Sequence, residues 1–354
     1  MSKIRIGFVG VGGMGQCAHL RNYVATPDCE VVAIAEIRPK LAKKVAERYG
    51  VPRVYDGFEA MLAKEELDGV VAIQPFGMHI DIVPKLLAKG VPVITEKPIA
   101  ETLENGRAIL AATQKSKGRL YVGYHKRSDP ATLRALTQIE AWKKSGEVGK
   151  LRYVRMAMPP GDWVAQGFSH LISTDEGYDA KWGGGGWDRY CSFVNYYIHQ
   201  VNLIRLLLGE DYKVLYADPS GVTFGLRSDS GVAGTLEMAT HSTNVDWQEE
   251  AFVAFERGWV RLELPAPLAI DRPGKVTIYR DADKAQEATT TTPTLPWVHA
   301  MRRQAEQFVA AIQGKPTTLC CPADAVKDLE VATQYVTLLE QAEKAYAPIA
   351  AAKA

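Results

Sequence analysis

The first 125 residues alternate between short apolar runs and segments with helical spacing. Apolar, β-branched runs predict buried strands over residues 4–9, 31–35, 69–73, 91–95 and 120–124. Between them, helical spacing of apolar residues predicts helices, as over residues 39–49, 78–89 and 103–115. Strands and helices that alternate at such short intervals are typical of an α/β fold with a parallel, doubly wound sheet.

The pattern changes after residue 127. A long amphipathic helix is predicted over residues 130–144, and an alternating, strand-like run follows over residues 151–158. Between residues 212 and 279, short strand-like runs are separated by Gly, Asp and Pro, which favours a mostly antiparallel sheet with one covered face. Two helices, over about 298–313 and 323–343, close the chain. We therefore predict two domains, residues 1–125 and residues 126–354.

A glycine-rich loop joins the first predicted strand to a helix. Its sequence is Gly10-Val11-Gly12-Gly13-Met14-Gly15. Such a loop allows a tight turn, close approach of the backbone to a pyrophosphate, and binding of the anion at a helix N-terminus. Glu36 follows at the end of the second strand, about 20 residues on, where dinucleotide-binding folds place an acid. The loop therefore predicts a dinucleotide site, and the alternative is an ordinary βαβ turn.

Glu36 and Arg38 bear on the choice of cofactor. A carboxylate at Glu36 would accept hydrogen bonds from ribose hydroxyls and repel a 2′-phosphate, so NAD is favoured. Arg38 could offset part of that repulsion, which leaves NADP open. In the alternative interpretation the two residues are only a solvated pair in a loop.

The strand over residues 91–95 ends in Glu96-Lys97-Pro98. Ligands bind at the carboxyl ends of strands in open α/β sheets, so Lys97 is expected at a strand mouth beside Glu96.

Composition narrows the partners. The 42 Lys and Arg residues nearly balance 41 Asp and Glu, a net charge of +1, which argues against nucleic acid or an anionic membrane as the main partner. Five cysteines without paired spacing favour a reduced, cytoplasmic protein. The N-terminus lacks signal-peptide features, and no apolar run is long enough to cross a membrane.

A second group of candidates lies between residues 188 and 208. Ser192, Asn195, His199 and Asn202 recur at spacings of three and four, which on a helix forms one uncharged polar stripe. Such a stripe fits an acid/base histidine or a hydrogen-bonded structural histidine. Three nearby tryptophans could stack on a sugar or pack in a core: Trp163, Trp182 and Trp187. Four nearby aspartates could bind the hydroxyls of a sugar: Asp162, Asp175, Asp179 and Asp188. We expect no metal site.

Together these motifs resemble the glucose–fructose oxidoreductase, inositol dehydrogenase and MocA (Gfo/Idh/MocA) family. The matching features, in order, are the glycine loop, Glu36, Pro75 with His79, Glu96-Lys97-Pro98, and Gly123-Tyr124-His125-Lys126-Arg127. The family has a Rossmann domain followed by an open-faced sheet that supplies oligomer contacts. Its lysine beside the nicotinamide corresponds to Lys97, and its Lys-Pro bond is often cis.

The resemblance also implies further site residues. His199 corresponds to the family's catalytic histidine, and Asn195 stands where the family has an aspartate. Phe76 and His125 stand where asparagine is common. Cofactor contacts are implied for Gln74, Pro75, His79, Glu96, Lys97 and His125, and substrate contacts for Arg127, Trp163, Asp188, Asn195 and His199.

The expected activity is a reversible NAD(P)-dependent dehydrogenase acting on a sugar or cyclitol. His199 would take the hydroxyl proton, and Lys97 would hydrogen-bond the same oxygen. A homodimer or homotetramer through the C-terminal sheet is expected. Two alternatives stay open: a glycosidase or lyase that uses transient oxidation by bound NAD, and a catalytically silent nucleotide sensor.

Overall fold

The computed structural model describes residues 3–177, 188–282, 284 and 287–351. The chain forms two compact units. The first combines Met1–Ser128, Gln166–Cys191 and Ala300–Val326, and the second combines the remaining segments. The predicted single boundary after residue 125 therefore differs from the observed division, because two later segments pack with the N-terminal sheet.

The first unit is built on a six-stranded sheet in which every neighbouring pair is parallel. The strand order is β3-β2-β1-β4-β5-β6. The strands are β1 (Ile4–Val9), β2 (Cys29–Ala35), β3 (Arg53–Tyr55), β4 (Gly69–Ala72), β5 (Val93–Glu96) and β6 (Leu120–Gly123). Its helices are α1 (Arg21–Val24), α2 (Pro39–Tyr49), α3 (Phe58–Lys64), α4 (His79–Ala88) and α5 (Leu103–Lys115). The predicted Rossmann sheet is confirmed.

Helix α9 (Ala300–Ile312) completes the core of this first unit. Its Phe308 is fully buried and packs edge-on against Tyr23 and Tyr121, with ring centroids 6.3 and 6.0 Å apart. Beyond the helix, Cys320 forms an isolated bridge with Val122 of β6. Apolar burial therefore draws a segment from near the C-terminus onto the N-terminal sheet.

The second unit is built on an eight-stranded sheet of order β14-β13-β12-β11-β7-β10-β9-β8. The strands are β7 (Leu151–Ala157), β8 (Tyr212–Ala217), β9 (Thr223–Ser228), β10 (Ala233–Glu237), β11 (Glu250–Phe255), β12 (Gly258–Glu263), β13 (Lys275–Arg280) and β14 (Thr289–Thr291). Only β7 and β10 pair in parallel. In β11 every second side chain is buried, as in a sheet with one covered face. The predicted mostly antiparallel sheet is confirmed.

Four more helices belong to the chain beyond residue 128. They are α6 (Pro130–Ser145), α7 (Arg189–Tyr196), α8 (Ile198–Leu208) and α10 (Pro322–Ala351). None of the helices described here combines the length and apolar character needed to cross a lipid bilayer. All five cysteines are free thiols.

A buried ionic network lies in the second unit. Asp328 of α10 is fully buried and accepts hydrogen bonds from Arg205 Nε and Nη2 at 3.1 and 3.0 Å. Its other oxygen accepts a 2.6 Å bond from Asn202 Nδ2. Burial acts to lower the pKa of Arg205, but Asp328, Tyr212 and Asp211 together outweigh it, so the pKa is raised. Asn202, predicted on the polar stripe, therefore joins α8 to α10.

Candidate dinucleotide and catalytic site

The glycine loop of the first unit needs glycine at its two ends. Gly10 has a left-handed backbone with φ of +85°, and an added Cβ would overlap the carbonyl oxygen of Ile73. A Cβ on Gly15 would lie 2.5 Å from the carbonyl oxygen of Gly10. A π-helical turn, Gly15–Leu20, follows and leads into α1. The loop thus presents bare backbone at the start of a helix, which is what a pyrophosphate requires.

Glu36 is fixed beside this loop. The carboxylate is buried, and its Oε2 accepts a 2.9 Å hydrogen bond from the backbone N–H of Val11. Arg38 donates to both carboxylate oxygens, from Nε at 2.8 Å and from Nη2 at 3.0 Å. The acid is therefore held where a ribose would bind, but with its charge partly balanced by Arg38, rather than as a solvated pair.

Gln74 follows β4 on the other side of the loop. Its backbone nitrogen lies 3.7 Å from where a Cβ of Gly10 would stand. Both polar atoms of its side-chain amide are buried, and no described residue hydrogen-bonds to them. Because buried amides are nearly always hydrogen-bonded, these atoms are available to a ligand in the loop. The loop, Glu36 and Gln74 together fit a dinucleotide.

His79, at the start of α4, contacts protein atoms through both ring nitrogens. Its Nδ1 lies 3.1 Å from the carbonyl oxygen of Ile99, and its Nε2 lies 3.1 Å from Thr95 Oγ1 and 3.3 Å from the carbonyl oxygen of Gln74. Complete burial lowers the pKa of His79, so the neutral ring is favoured. His79 thus connects the end of β4 to the end of β5 through these contacts. The predicted direct contacts of His79 and Pro75 with the cofactor stay predictions.

The end of β5 carries the Glu96-Lys97-Pro98 turn, and its Lys97–Pro98 peptide is cis, as the resemblance implied. Glu96 is buried, and its Oε1 lies 2.5 Å from Nε2 of the buried His19. Its Oε2 accepts a 3.0 Å hydrogen bond from the backbone N–H of Lys97. Burial acts to raise the pKa of Glu96, but His19 and Lys97 together outweigh it, so the pKa is lowered. Glu96 is therefore an anion that orients the turn.

The sequence interpretation missed His19. It lies four residues after Gly15, within the turn that opens the dinucleotide helix, and it reaches the carboxylate that precedes Lys97. His19 and Glu96 are far apart along the chain, so no local sequence pattern predicts their contact. The only sequence signal was a histidine on an otherwise apolar segment, which more often marks an ordinary core histidine.

Lys97 has an environment that favours its neutral form. Burial is the largest cause and lowers the pKa of its ammonium, the charge of Lys126 lowers it further, and Glu96 opposes both. A lysine shifted in this direction is able to exchange a proton nearer neutral pH than an exposed lysine.

Residues His125–Ser128 form a short 3₁₀ helix after β6, and all four are buried. Arg127 donates from Nε to the carbonyl oxygen of Thr318 at 2.7 Å and lies 4.0 Å from a carboxylate oxygen of Asp324. These contacts tie the motif to the C-terminal segment of the first unit. The cofactor contact of His125 and the substrate contact of Arg127 stay predictions.

Asn195 and His199 belong to different helices of the second unit. Asn195 lies in α7 and the buried His199 in α8, and the two helices are interrupted at Tyr197. The predicted polar stripe is therefore divided between two helices that meet at Tyr197. Lys97 lies in the first unit, and the roles of Asn195 and His199 stay predictions.

The predicted sugar-binding residues near the glycine run have separate places. Trp163 lies in the second unit, partly buried, and its carbonyl accepts a 3.3 Å hydrogen bond from Leu268 N. Asp188 accepts a 2.7 Å bond from the backbone N–H of Cys191 at the start of α7. Asp162 likewise binds the N–H groups of Val164 and Ala165, both at 3.0 Å. Trp182, Trp187, Asp179 and the glycine run over 183–186 lie outside the described residues.

Within the described part of the chain, no three His, Cys, Asp or Glu side chains are arranged to hold a metal ion.

Comparison with known families agrees with the fold and with the loop. A family model described as an oxidoreductase family with an NAD-binding Rossmann fold, GFO_IDH_MocA, matches residues 4–124. Residues 4–124 are therefore similar to the Rossmann domain of the Gfo/Idh/MocA family, as the motifs implied. This match supports the NAD-binding site predicted from the motifs, and it agrees with the predicted class of nicotinamide-dependent oxidoreductases.

Two curated members of the Gfo/Idh/MocA family show how far the likeness extends. The rhizopine catabolism protein MocA of Rhizobium meliloti is 24% identical over 344 residues, which cover 96% of both chains. The inositol 2-dehydrogenase of the same species is 28% identical over 214 residues. That match covers 59% of this chain and 56% of the relative, so the chain spans little more than half of that enzyme's length.

A solved structure of levoglucosan dehydrogenase, in complex with NADH and levoglucosan, has a TM-score of 0.73 to this chain. The two are 17% identical, and the match covers 96% of this chain and 98% of that one. At this identity the match shows a shared fold and no more. The match does not identify the substrate of this chain.

Proposed function

We propose that this protein is a dehydrogenase that moves a hydride reversibly between nicotinamide and a hydroxyl or ketone carbon of a polyhydroxylated substrate. The proposal rests on Lys97, a partly buried lysine with a lowered pKa. Lys97 follows β5, and a single strand, β4, lies between β5 and the strand β1 that leads into the glycine loop. A nucleotide sensor without chemistry has no need of such a lysine. The curated inositol 2-dehydrogenase supports a cyclitol or sugar as the substrate class.

The first unit provides the groups that would hold the cofactor. The backbone N–H groups of the loop from Gly10 to Gly15 would bind the pyrophosphate, Glu36 would accept from the ribose hydroxyls, and Gln74 would supply its unpaired amide. The nicotinamide, when bound, supplies the hydride acceptor. Because Arg38 balances part of the charge of Glu36, we propose that NAD is preferred and NADP tolerated.

In this proposal Lys97 acts on the oxygen of the reacting hydroxyl. Its ammonium would donate a hydrogen bond to the substrate oxygen and stabilise negative charge that develops there. Glu96 would hold the turn through the backbone N–H of Lys97, and His19 would keep Glu96 ionised. His19 is thus proposed as a positioning residue. We also retain His199 as the proposed general base, with Asn195 orienting its ring.

The substrate panel tests this function. Absorbance at the NADH band should rise when the protein meets an accepted cyclitol or sugar with NAD, and should rise more slowly with NADP. A panel of cyclitols, sugars and sugar acids with both cofactors identifies the substrate. Because Glu36 is the carboxylate proposed to repel a 2′-phosphate, Glu36→Ala should narrow the difference in kcat/KM between NAD and NADP, and the conservative Glu36→Asp serves as its control.

Two results would contradict the proposed dehydrogenase. Substrate turnover with bound NAD but without net NADH would indicate transient oxidation followed by elimination. Tight NADH binding without turnover of any panel member would indicate a nucleotide sensor.

We further propose that the uncovered face of the second sheet joins two copies of the chain. Three partly buried aromatic residues form a ladder on it: Trp259 lies 5.6 Å from Phe252 and 5.6 Å from Tyr279, measured between ring centroids. Glu250 pairs with Arg155 and Arg261 beside them. Aromatic and arginine side chains are enriched in protein interfaces, and a wide sheet face needs a cover.

Sedimentation velocity tests this interface. A charge buried at the centre of an aromatic interface is expensive, so Trp259→Arg should convert the wild-type oligomer to a smaller species. Trp297→Arg is the matched control, because Trp297 is 83% exposed and lies outside the strands. Equal sedimentation of the two variants and the wild type would refute the sheet interface.

A further inference from the structure

Residues 166–177, named the strap here, belong to the first unit although they lie far from its sheet in sequence. The strap begins where two consecutive residues adopt a left-handed backbone, Ala165 with φ of 44° and Gln166 with φ of 64°. Neither is a glycine, so the turn is imposed by the contacts that follow it.

The first contact of the strap is with the glycine loop. A Cβ built on Gly13 would lie 3.8 Å from Leu171 Cδ1 and 3.9 Å from Phe168 Cε1, which is ordinary van der Waals contact. The buried Gln16 then pairs with Ile172 in both directions: its Nε2 donates to the carbonyl oxygen and its Oε1 accepts from the N–H, both at 3.0 Å. The same Nε2 donates to the carbonyl oxygen of Val11 at 2.9 Å. The strap is therefore attached to the loop itself.

The second contact is with the N-terminus of α2. Glu176 accepts hydrogen bonds from the backbone N–H groups of Lys40 and Leu41 at 3.0 and 2.9 Å. Burial acts to raise the pKa of Glu176, but these N–H groups, the Thr174 hydroxyl and the charge of Lys40 together outweigh it, so the pKa is lowered. Arg48, further along α2, donates to the carbonyl oxygen of His170 at 2.6 Å. A helix N-terminus that lacks a cap of its own is thus capped by the strap.

These two attachments coincide with the two places where a Rossmann fold binds the adenosine half of a dinucleotide. In a Rossmann fold the pyrophosphate binds at the glycine loop, and the ribose binds at the acid that ends the second strand. Here Gly13 marks the first position, and α2 begins three residues after Glu36, which marks the second. A segment attached to both must run past the ribose and the pyrophosphate.

We propose that the strap is a further wall of the cofactor site, which encloses the adenosine and pyrophosphate groups and slows their release. This inference rests on the proposed function, since it takes the ligand of the loop to be a nicotinamide dinucleotide. Cofactor held in this way would leave only after the strap detaches from the loop and from α2. The dissociation rate of NADH is therefore set by strap contacts as well as by the loop.

Stopped-flow displacement tests the strap. The protein loaded with NADH is mixed with excess NAD, and nicotinamide fluorescence follows the release. A triple variant, Phe168→Ala with Leu171→Ala and Glu176→Ala, should raise the dissociation rate constant about tenfold or more, because affinity changes at one interface appear mostly in the dissociation rate. Asp175→Ala is the control: it removes only an ion pair to Lys40 in which both side chains are mostly exposed, and should leave the rate unchanged.

A second measurement, limited proteolysis, requires neither substrate turnover nor the triple variant. Chymotrypsin cleaves after aromatic and large apolar residues, so cleavage at Phe168 and Leu171 of the wild type should slow when NADH is added. Glu176→Ala alone should expose the amides of Lys40 and Leu41 to hydrogen exchange and raise the dissociation rate by a smaller factor. Unchanged cleavage with NADH overturns the enclosure.

Different results would contradict the strap and the proposed function. NADH binding with unchanged dissociation in every variant overturns the strap and leaves the proposed function intact. Faster association of the triple variant with unchanged dissociation also overturns it, since the strap would then obstruct the site rather than enclose it. A wild type that binds no NADH overturns both proposals.

Discussion

Replacing Lys97 with alanine should lower kcat about 10²–10⁴-fold while NADH still binds with near wild-type affinity. The reason is that Lys97 is proposed to contact the reacting hydroxyl, whereas the loop, Glu36 and Gln74 hold the cofactor without it. Steady-state kinetics give kcat, and quenching of protein fluorescence by NADH gives the dissociation constant. Loss of NADH affinity in proportion to activity would contradict the catalytic assignment, because Lys97 would then be a cofactor ligand.

The pH dependence separates Lys97 from a merely structural lysine. A lowered pKa means that the neutral amine is populated at a lower pH than in an exposed lysine, whose pKa is about 10.4. Because the charged ammonium is proposed to hold the reacting oxygen, kcat for oxidation should fall with rising pH along a limb whose midpoint lies below this value. Lys97→Arg should remove that limb, since an arginine stays charged. His199→Ala, measured in parallel, should lose activity without losing NADH binding.

Replacing Asp328 with alanine should lower the free energy of unfolding by about 3–5 kcal/mol. Asp328 is fully buried and takes hydrogen bonds from both Arg205 and Asn202, so its removal leaves a guanidinium and an amide in the core without their partner. Urea unfolding followed by circular dichroism measures the loss. The effect lies in the lost counter-charge rather than in volume.

Asp211→Ala is the matched control for this network. Asp211 pairs with the same Arg205 at 2.7 Å, but its side chain is 37% exposed, so about 1 kcal/mol or less is expected. A double variant, Arg205→Met with Asp328→Leu, should recover part of the stability, because it removes both charges. Equal losses for Asp328→Ala and Asp211→Ala would show that burial of the pair is not the source of its effect.

Much of the first unit followed from local patterns. Short apolar runs separated by helical segments fix the parallel sheet, and the loop from Gly10 to Gly15 with Glu36 fixes the nucleotide edge of that sheet. These features are local, since each depends on residues within one strand, turn and helix. The burial of Glu36 against Val11 and Arg38 is consistent with the same local arrangement.

What the sequence did not provide depends on contacts between distant residues. His19 meets Glu96 across 77 positions, and Gln16 meets Ile172 across 156. Neither contact leaves a periodic signal, because a single side chain makes each. The break at Tyr197 was also missed, since the apolar spacing continues through it and only the backbone changes.

The placement of α9 has a consequence for synthesis of the chain. Phe308 fills the core beside Tyr23 and Tyr121, and Cys320 pairs with Val122, so the N-terminal sheet takes part of its covering from residues made long after its own strands. Until α9 and Cys320 have left the ribosome, that apolar surface has no native cover, and the dinucleotide-binding unit is incomplete. We therefore expect the strands that are made first to stay partly uncovered while the second unit is being made, when exposed apolar surface favours aggregation.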